Sequence, residues 1–470
     1  MKKPKKQIPQ WAATGHARPV TRRDFLASGI IPFAAAVSAP QWMSLLLGSK
    51  AHAETAIDKC PAPEGGMPAV FVINLAGGAA LSGNFMPHRI DGGKLASYSK
   101  MGMGSAPAIV TGFNGAKFYN ASQFLSGVNA AAAQGTRDKV NFLGICAKSQ
   151  DDTAANRMAI EGLVTKAGLV GTYLAHLDRN VNGFRHSPAV LSPPAPLSVA
   201  RLEDIRNSLG YAGAMGASLT GAQKAKLANL IKNLSEAQAR RLMATSSGAQ
   251  IKDVVECAGI KNVELNSGTA GGIDTPTDIN SLWTADPGVA GATIITPQNL
   301  AIFGAIAHNV LDGNAGCGTL SLGGYDYHDA TRTTGDRLDR EAGIVVGRIL
   351  QTAALKNRKV FIYVASDGSA GSVDSGTGGE AWVTDRGDAG CNYVLAFDPA
   401  ALHASTGTQL GGFTDGQTAD GAHLIGNNAE LAAVAAFANY MSFAGQTSRF
   451  ESVAPGRFTT AQYDDVTKIK

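Results

Sequence analysis

Five stretches of the chain are apolar almost without interruption: AVFVINL at 69–75, KVNFLGIC at 139–146, GTLSLGG at 318–324, KVFIYVAS at 359–366 and CNYVLAF at 391–397. Short runs of this kind, lacking polar alternation, predict strands covered on both faces, as in parallel sheets. Between them the apolar positions recur at helical spacing. Residues 222–243 set Leu227, Leu230, Ile231, Leu234 and Leu242 among Lys, Gln and Arg, the pattern of an amphipathic helix. Residues 297–311 carry Leu300, Ile302, Phe303, Ile306 and Val310 behind Thr296 as cap and Pro297 as first residue, a favoured helix start. A third helix is predicted over 336–355, with Thr334 as its cap and basic residues after its end, and a fourth, Ala-rich one over 428–443.

Strands separated by helices of this length predict an α/β fold, a mostly parallel sheet with helices on both faces. Two regions break the rhythm. LSPPAP at 191–196 is incompatible with helix or central strand, and it leads into a mostly helical insertion at about 198–291. GSAGSVDSGTGG at 368–379 is rich in Gly and Ser, and reads either as a linker or as a loop over the carboxyl edge of the sheet. No internal repeat is visible.

The first 53 residues read as an export signal rather than as fold. Basic Lys2 to Lys6 precede Thr21-Arg22-Arg23-Asp24-Phe25-Leu26, an apolar run to Leu47, and Ala51-His52-Ala53. A twin arginine before an Ala- and Gly-rich apolar segment, closed by an A-x-A pattern, is the address of the twin-arginine translocase, which becomes the expected partner during export. The rival is a retained membrane anchor, against which Pro32, Pro40 and the cleavage pattern speak. The mature chain, 54–470, is expected to be periplasmic or otherwise extracytoplasmic, with no stable membrane span.

Removing the signal reverses the charge. It holds eight of the 41 basic residues and one of the 37 acidic ones, so the remainder carries 33 against 36, a formal charge of −3 instead of +4. No case for nucleic-acid binding survives. Cys60, Cys146, Cys257, Cys317 and Cys391 all follow the signal. Their odd number leaves at least one thiol over, and no C-x-x-C unit occurs. One or two disulfides and buried thiols are both compatible with the spacing.

Ligands of open α/β sheets gather outside the carboxyl ends of the strands. Four polar clusters are expected there: residues 74–84, 326–329, 366–367 and 385–388. Asp326-Tyr327-His328-Asp329 offers two carboxylates and an imidazole, donors for zinc or another divalent cation, and in an extended backbone Asp326 and His328 share a side. A polar turn leading into a helix is the plainer alternative. Ser366-Asp367-Gly368-Ser369 offers a carboxylate and hydroxyls, but no base adjoins them in sequence, and a polar strand end explains them as well. Asp385, Arg386 and Asp388 form an acidic turn with an internal ion pair available. Gly77-Gly78 could admit an anion or merely allow close backbone approach, and GGAALSG is neither a dinucleotide fingerprint nor a P-loop. Arg185 and His186 could contact an anionic ligand or stand in a surface loop.

The succession TRRDFL, VFVINLAGGAALSGNFMP at 70–87, GLVGTYL at 168–174, SLGGYDYH at 321–328 and VFIYVASD at 360–367 resembles a bacterial family of twin-arginine-exported proteins, domain of unknown function 1501, sulfatase-like within the alkaline phosphatase superfamily. The most specific element is G-[WY]-D-x-H after an apolar strand. The resemblance implies a three-layer α/β/α sandwich of alkaline-phosphatase type. It also implies hydrolysis of a small anionic phosphate or sulfate ester with a divalent metal, zinc, calcium or manganese, at the strand ends. Asp326 and His328 match the D-x-H, and Asp367 stands where the family has the glutamate of S-E-F-G-R. Asp326, His328 and Asp367 are thus the catalytic candidates, and with Asp388 the candidate metal ligands.

Departures point toward a reduced site. Ala80 stands in place of an acidic residue, Gly387-Asp388-Ala389-Gly390 lacks the imidazole of T-D-H-G, and the family's S-H-F has no counterpart. Two functions follow: an exported metal-dependent ester hydrolase with a reduced site, or a non-catalytic periplasmic or envelope-associated binding protein that keeps the fold. A redox enzyme loaded with cofactor before export lacks a supporting motif.

Overall fold

The computed structural model describes residues 68–149, 155–156, 159–167, 176–180, 185–186, 196–209, 219–242, 259–260, 263, 272–326, 332–372, 382–383 and 387–470. The segment expected to be an export signal, residues 1–53, lies outside the described residues. Among those described, eight strands form one sheet: β1 Ala69–Leu75, β2 Val140–Cys146, β3 His176–Asn180, β4 Leu197–Ser198, β5 Cys317–Leu322, β6 Val360–Ser366, β7 Cys391–Phe397 and β8 Gln409–Leu410. Their spatial order is β8-β2-β7-β6-β1-β5-β3-β4. β7 runs antiparallel to β6 and β2, and the other neighbouring pairs are parallel. All five apolar runs form strands, and each strand is buried along its whole length.

The longer described helices are α1 Gln123–Ala131, α2 Glu161–Ala167, α3 Leu202–Leu209, α4 Gly221–Leu242, α5 Thr277–Thr284, α6 Pro297–Leu311, α7 Arg332–Leu355, α8 Ala429–Phe443 and α9 Thr460–Val466. Alternate strand residues serve two separate cores. Phe71, Ile73, Leu320, Ile362 and Val364 pack with α1, α6 and α7, whereas Val70, Val72, Phe361 and Tyr363 pack with α2 and α8. A sheet covered on both faces explains why its strands show no polar alternation. Thr296 caps α6 through Asn299 N with Pro297 next, and Asn428 caps α8 through Leu431 N.

Three expectations change in detail. The helix predicted over 336–355 extends back to Arg332, so Thr334 lies within it rather than capping it. Arg332 stabilises that extra turn through Asp336, 3.2 Å away one turn on, and through the Gly102 carbonyl. Among the described side chains of α4, Leu230 and Leu234 are exposed, Leu227 and Ile231 only partly covered, and the buried one is Ala228. The third change is β3, a strand with no continuous apolar run to betray it.

No described helix is long and apolar enough to cross a membrane. The strand directions matter most for chemistry. The carboxyl ends of β2, β6, β1, β5 and β3 and the start of antiparallel β7 all reach one rim, where ligand sites of such sheets gather.

Candidate active site at the carboxyl rim

Register assembles the rim. Leu75 lies opposite both Ser366 of β6 and Leu322 of β5, so the segments after three strands emerge side by side. Gly77 and Gly78 turn the first segment with φ of 115° and 103°, backbone that other residues rarely adopt. Gly77 N donates to Asp367 Oδ1 at 2.9 Å, and Ala79 N donates to Ser366 Oγ at 2.9 Å. Ser366 Oγ donates in turn to Leu75 O at 2.7 Å. On the other side, Tyr325 N donates to Ala76 O at 3.2 Å. A Cβ on Gly77 would lie 2.6 Å from Asp326 N and 2.9 Å from Asp326 Cβ. Only a glycine lets the three segments close to this distance.

Asp326 and Asp367 therefore flank one glycine, although 326 follows β5 and 367 follows β6. Asp326 is exposed, whereas Asp367 is 3% exposed. The Gly77 N–H that an anion would need is bonded to Asp367, so the glycine pair serves close backbone approach. Ser366 is a tie between β6 and the turn, and Ser369 is buried. Asp388 lies elsewhere on the rim, in the turn before β7. Its carboxylate is 69% exposed and 3.8 Å from Lys148 Nζ, a weak pair in water.

His328 and Asp329 lie outside the described residues, as do Asp385 and Arg386. Residues 185–186 pair with 155–156 in a separate two-stranded ladder. Among the described residues, no group of three His, Cys, Asp or Glu could hold a metal ion. Asp326 and Asp367 provide carboxylate oxygens suited to a hard or borderline cation, and an imidazole from His328 would complete a three-donor set.

The sequence reading missed a second concentration of polar groups, beneath the rim on the α2 face. Glu161, the first residue of α2, is completely buried, and His176, Asp178, Thr319, Asn74 and Ser321 are each at most 4% exposed. Thr319 Oγ1 donates to Glu161 Oε1 at 3.1 Å and accepts from His176 Nε2 at 2.6 Å. This order, imidazole to hydroxyl to carboxylate, orients all three groups. The available signal was the alternation His-Leu-Asp-Arg at 176–179, which puts two ionisable side chains on one face of a strand.

A third polar knot fixes the segment after Gly77. Asn84 Oδ1 accepts from Ser122 Oγ at 2.8 Å and from Phe124 N at 3.1 Å, while Nδ2 donates to Asp339 Oδ2 at 2.6 Å. One amide side chain thus joins the rim segment to α1 and α7. Burial pushes the Asp339 carboxyl up to about 7; the Asn84 bond pulls the other way, Asp336 adds to the rise and Arg332 opposes it. No family model, curated protein or solved structure matches the chain.

Proposed function

We propose that the chain is an exported, alkaline-phosphatase-like hydrolase of small phosphate or sulfate esters, with Asp326, His328 and Asp367 around a reduced divalent-cation site. The observation that carries this reading is the juncture at Gly77, which brings the segment holding Asp326 against the one holding Asp367 at the carboxyl rim. The motif succession from TRRDFL to VFIYVASD supports the same family and the same extracytoplasmic location.

In this reading Gly77 N–H orients the Asp367 carboxylate, Asp326 reaches the ligand from the solvent side, and His328 adds its imidazole. A bound divalent cation would polarise the ester's phosphoryl or sulfuryl oxygens and favour attack by water. Asp388, exposed beside Lys148 elsewhere on the rim, stands apart from the Asp326, His328 and Asp367 set in this reading.

A second reading, a non-catalytic binding protein, is favoured by one observation. Asp367 commits Oδ1 to the backbone of Gly77, a structural role that stands without any metal. Metal analysis of the purified chain, with assays on aryl phosphate and aryl sulfate, separates the two. The hydrolase reading expects about one divalent ion per chain, with both metal and turnover lost in Asp326→Ala/His328→Ala. Metal-free protein, inactive on both esters after addition of zinc, calcium or manganese, overturns it.

A further inference from the structure

We propose that Cys146 and Cys391 form a disulfide across β2 and β7, a covalent staple at the carboxyl rim. The two residues are direct partners in the antiparallel ladder. Ala147 N donates to Gly390 O at 3.1 Å. That bond, from the residue after one cysteine to the residue before the other, makes Cys146 and Cys391 a non-hydrogen-bonded pair. Such pairs bring the Cα atoms to about 4.5 Å, the closest approach in an antiparallel ladder, inside the roughly 4.4–6.8 Å that a disulfide spans. Both side chains point to the same face, into the same apolar cluster as Tyr393.

The remaining described cysteine, Cys317, belongs to the other face of the sheet, so geometry selects one pair among the described cysteines. Burial and the adjacent Cys391 raise the Cys146 thiol. A buried thiol of this kind reacts slowly from solution. Cys391, at the first position of β7, is also buried but 5% exposed against none for Cys146, and so is the more accessible of the two. Its thiolate attacks a small disulfide, releasing one thiol and leaving a mixed disulfide. Cys146 then attacks the Cys391 sulfur and displaces the second thiol. Two protein thiols and one external disulfide become one protein disulfide and two external thiols. The product ties the end of β2 to the turn that holds Asp388, and shields the bond from reductant. This inference is independent of any cation at Asp326.

Purified full-length protein, exposed to oxidised glutathione in its native state and also during refolding from denaturant, is alkylated and digested with trypsin without reduction. Peptides 140–148 and 387–449 each contain one of the two cysteines and no other. The expected result is one cross-linked pair, lighter by about 2 Da than its separate thiol peptides. It should be absent from Cys391→Ser, and the oxidised wild type should melt higher than the reduced form. Recovery of both peptides as alkylated thiols from both treatments overturns the inference, as does a bridge from Cys146 to any other cysteine. The wild-type digestion decides even where the variant fails to fold.

Discussion

Single residues hold the rim in place, and two of them make predictions. Gly77 has a φ of 115° and no space for a methyl group beside Asp326. Gly77→Ala should destabilise the chain by about 2–4 kcal/mol, combining backbone strain with displacement of the Asp326 segment. Chemical denaturation checks it. Asp339 makes stability depend on pH. Its folded carboxyl titrates at about 7 against an ordinary value of 3.8, so the folded state binds the proton more tightly. The resulting stabilisation is complete below about pH 3.8 and is lost as pH rises to about 7. Asp339→Asn keeps an acceptor for Asn84 without a charge. The variant should flatten this part of the pH profile and be the more stable at pH 8, by on the order of 2–4 kcal/mol. Urea titrations at pH 5 and pH 8 measure the difference.

At the scale of elements, α1 and α7 touch through glycine. A Cβ on Gly127 would lie 2.3 Å from Arg340 O, and one on Gly343 would lie 2.2 Å from Phe124 O. Gly127→Ala should force the helices apart and cost about 1–3 kcal/mol. Gly135→Ala, where the added atom meets nothing within 4 Å, should be neutral or stabilising by up to about 1 kcal/mol. Paired melting curves test the contrast. The same scale shows what the chain reveals of its fold. The apolar strands and the cap Thr296 were legible, because burial on both faces and local capping leave direct marks on sequence. β3 was not, since His176 and Asp178 interrupt its apolar character. The outward leucines of α4 were not either, because periodicity records a stripe without saying what covers it.

For the whole molecule, parallel register is the decisive fact. It carries Asp326 and Asp367 from distant parts of the chain to the two sides of Gly77, a meeting that no local pattern encodes. The rim position of both carboxylates was legible from their place after apolar strands; the Gly77 N–H bond to Asp367 and the buried Glu161–Thr319–His176 chain were not. Both depend on which strands are neighbours. The central claim is a cation held at that rim, and a crystal soaked in manganese tests it most directly through anomalous scattering. The account predicts a peak about 2–2.5 Å from a carboxylate oxygen of Asp326 and from the His328 imidazole, with Asp367 adjoining. A peak elsewhere, or none at saturating manganese, would contradict it.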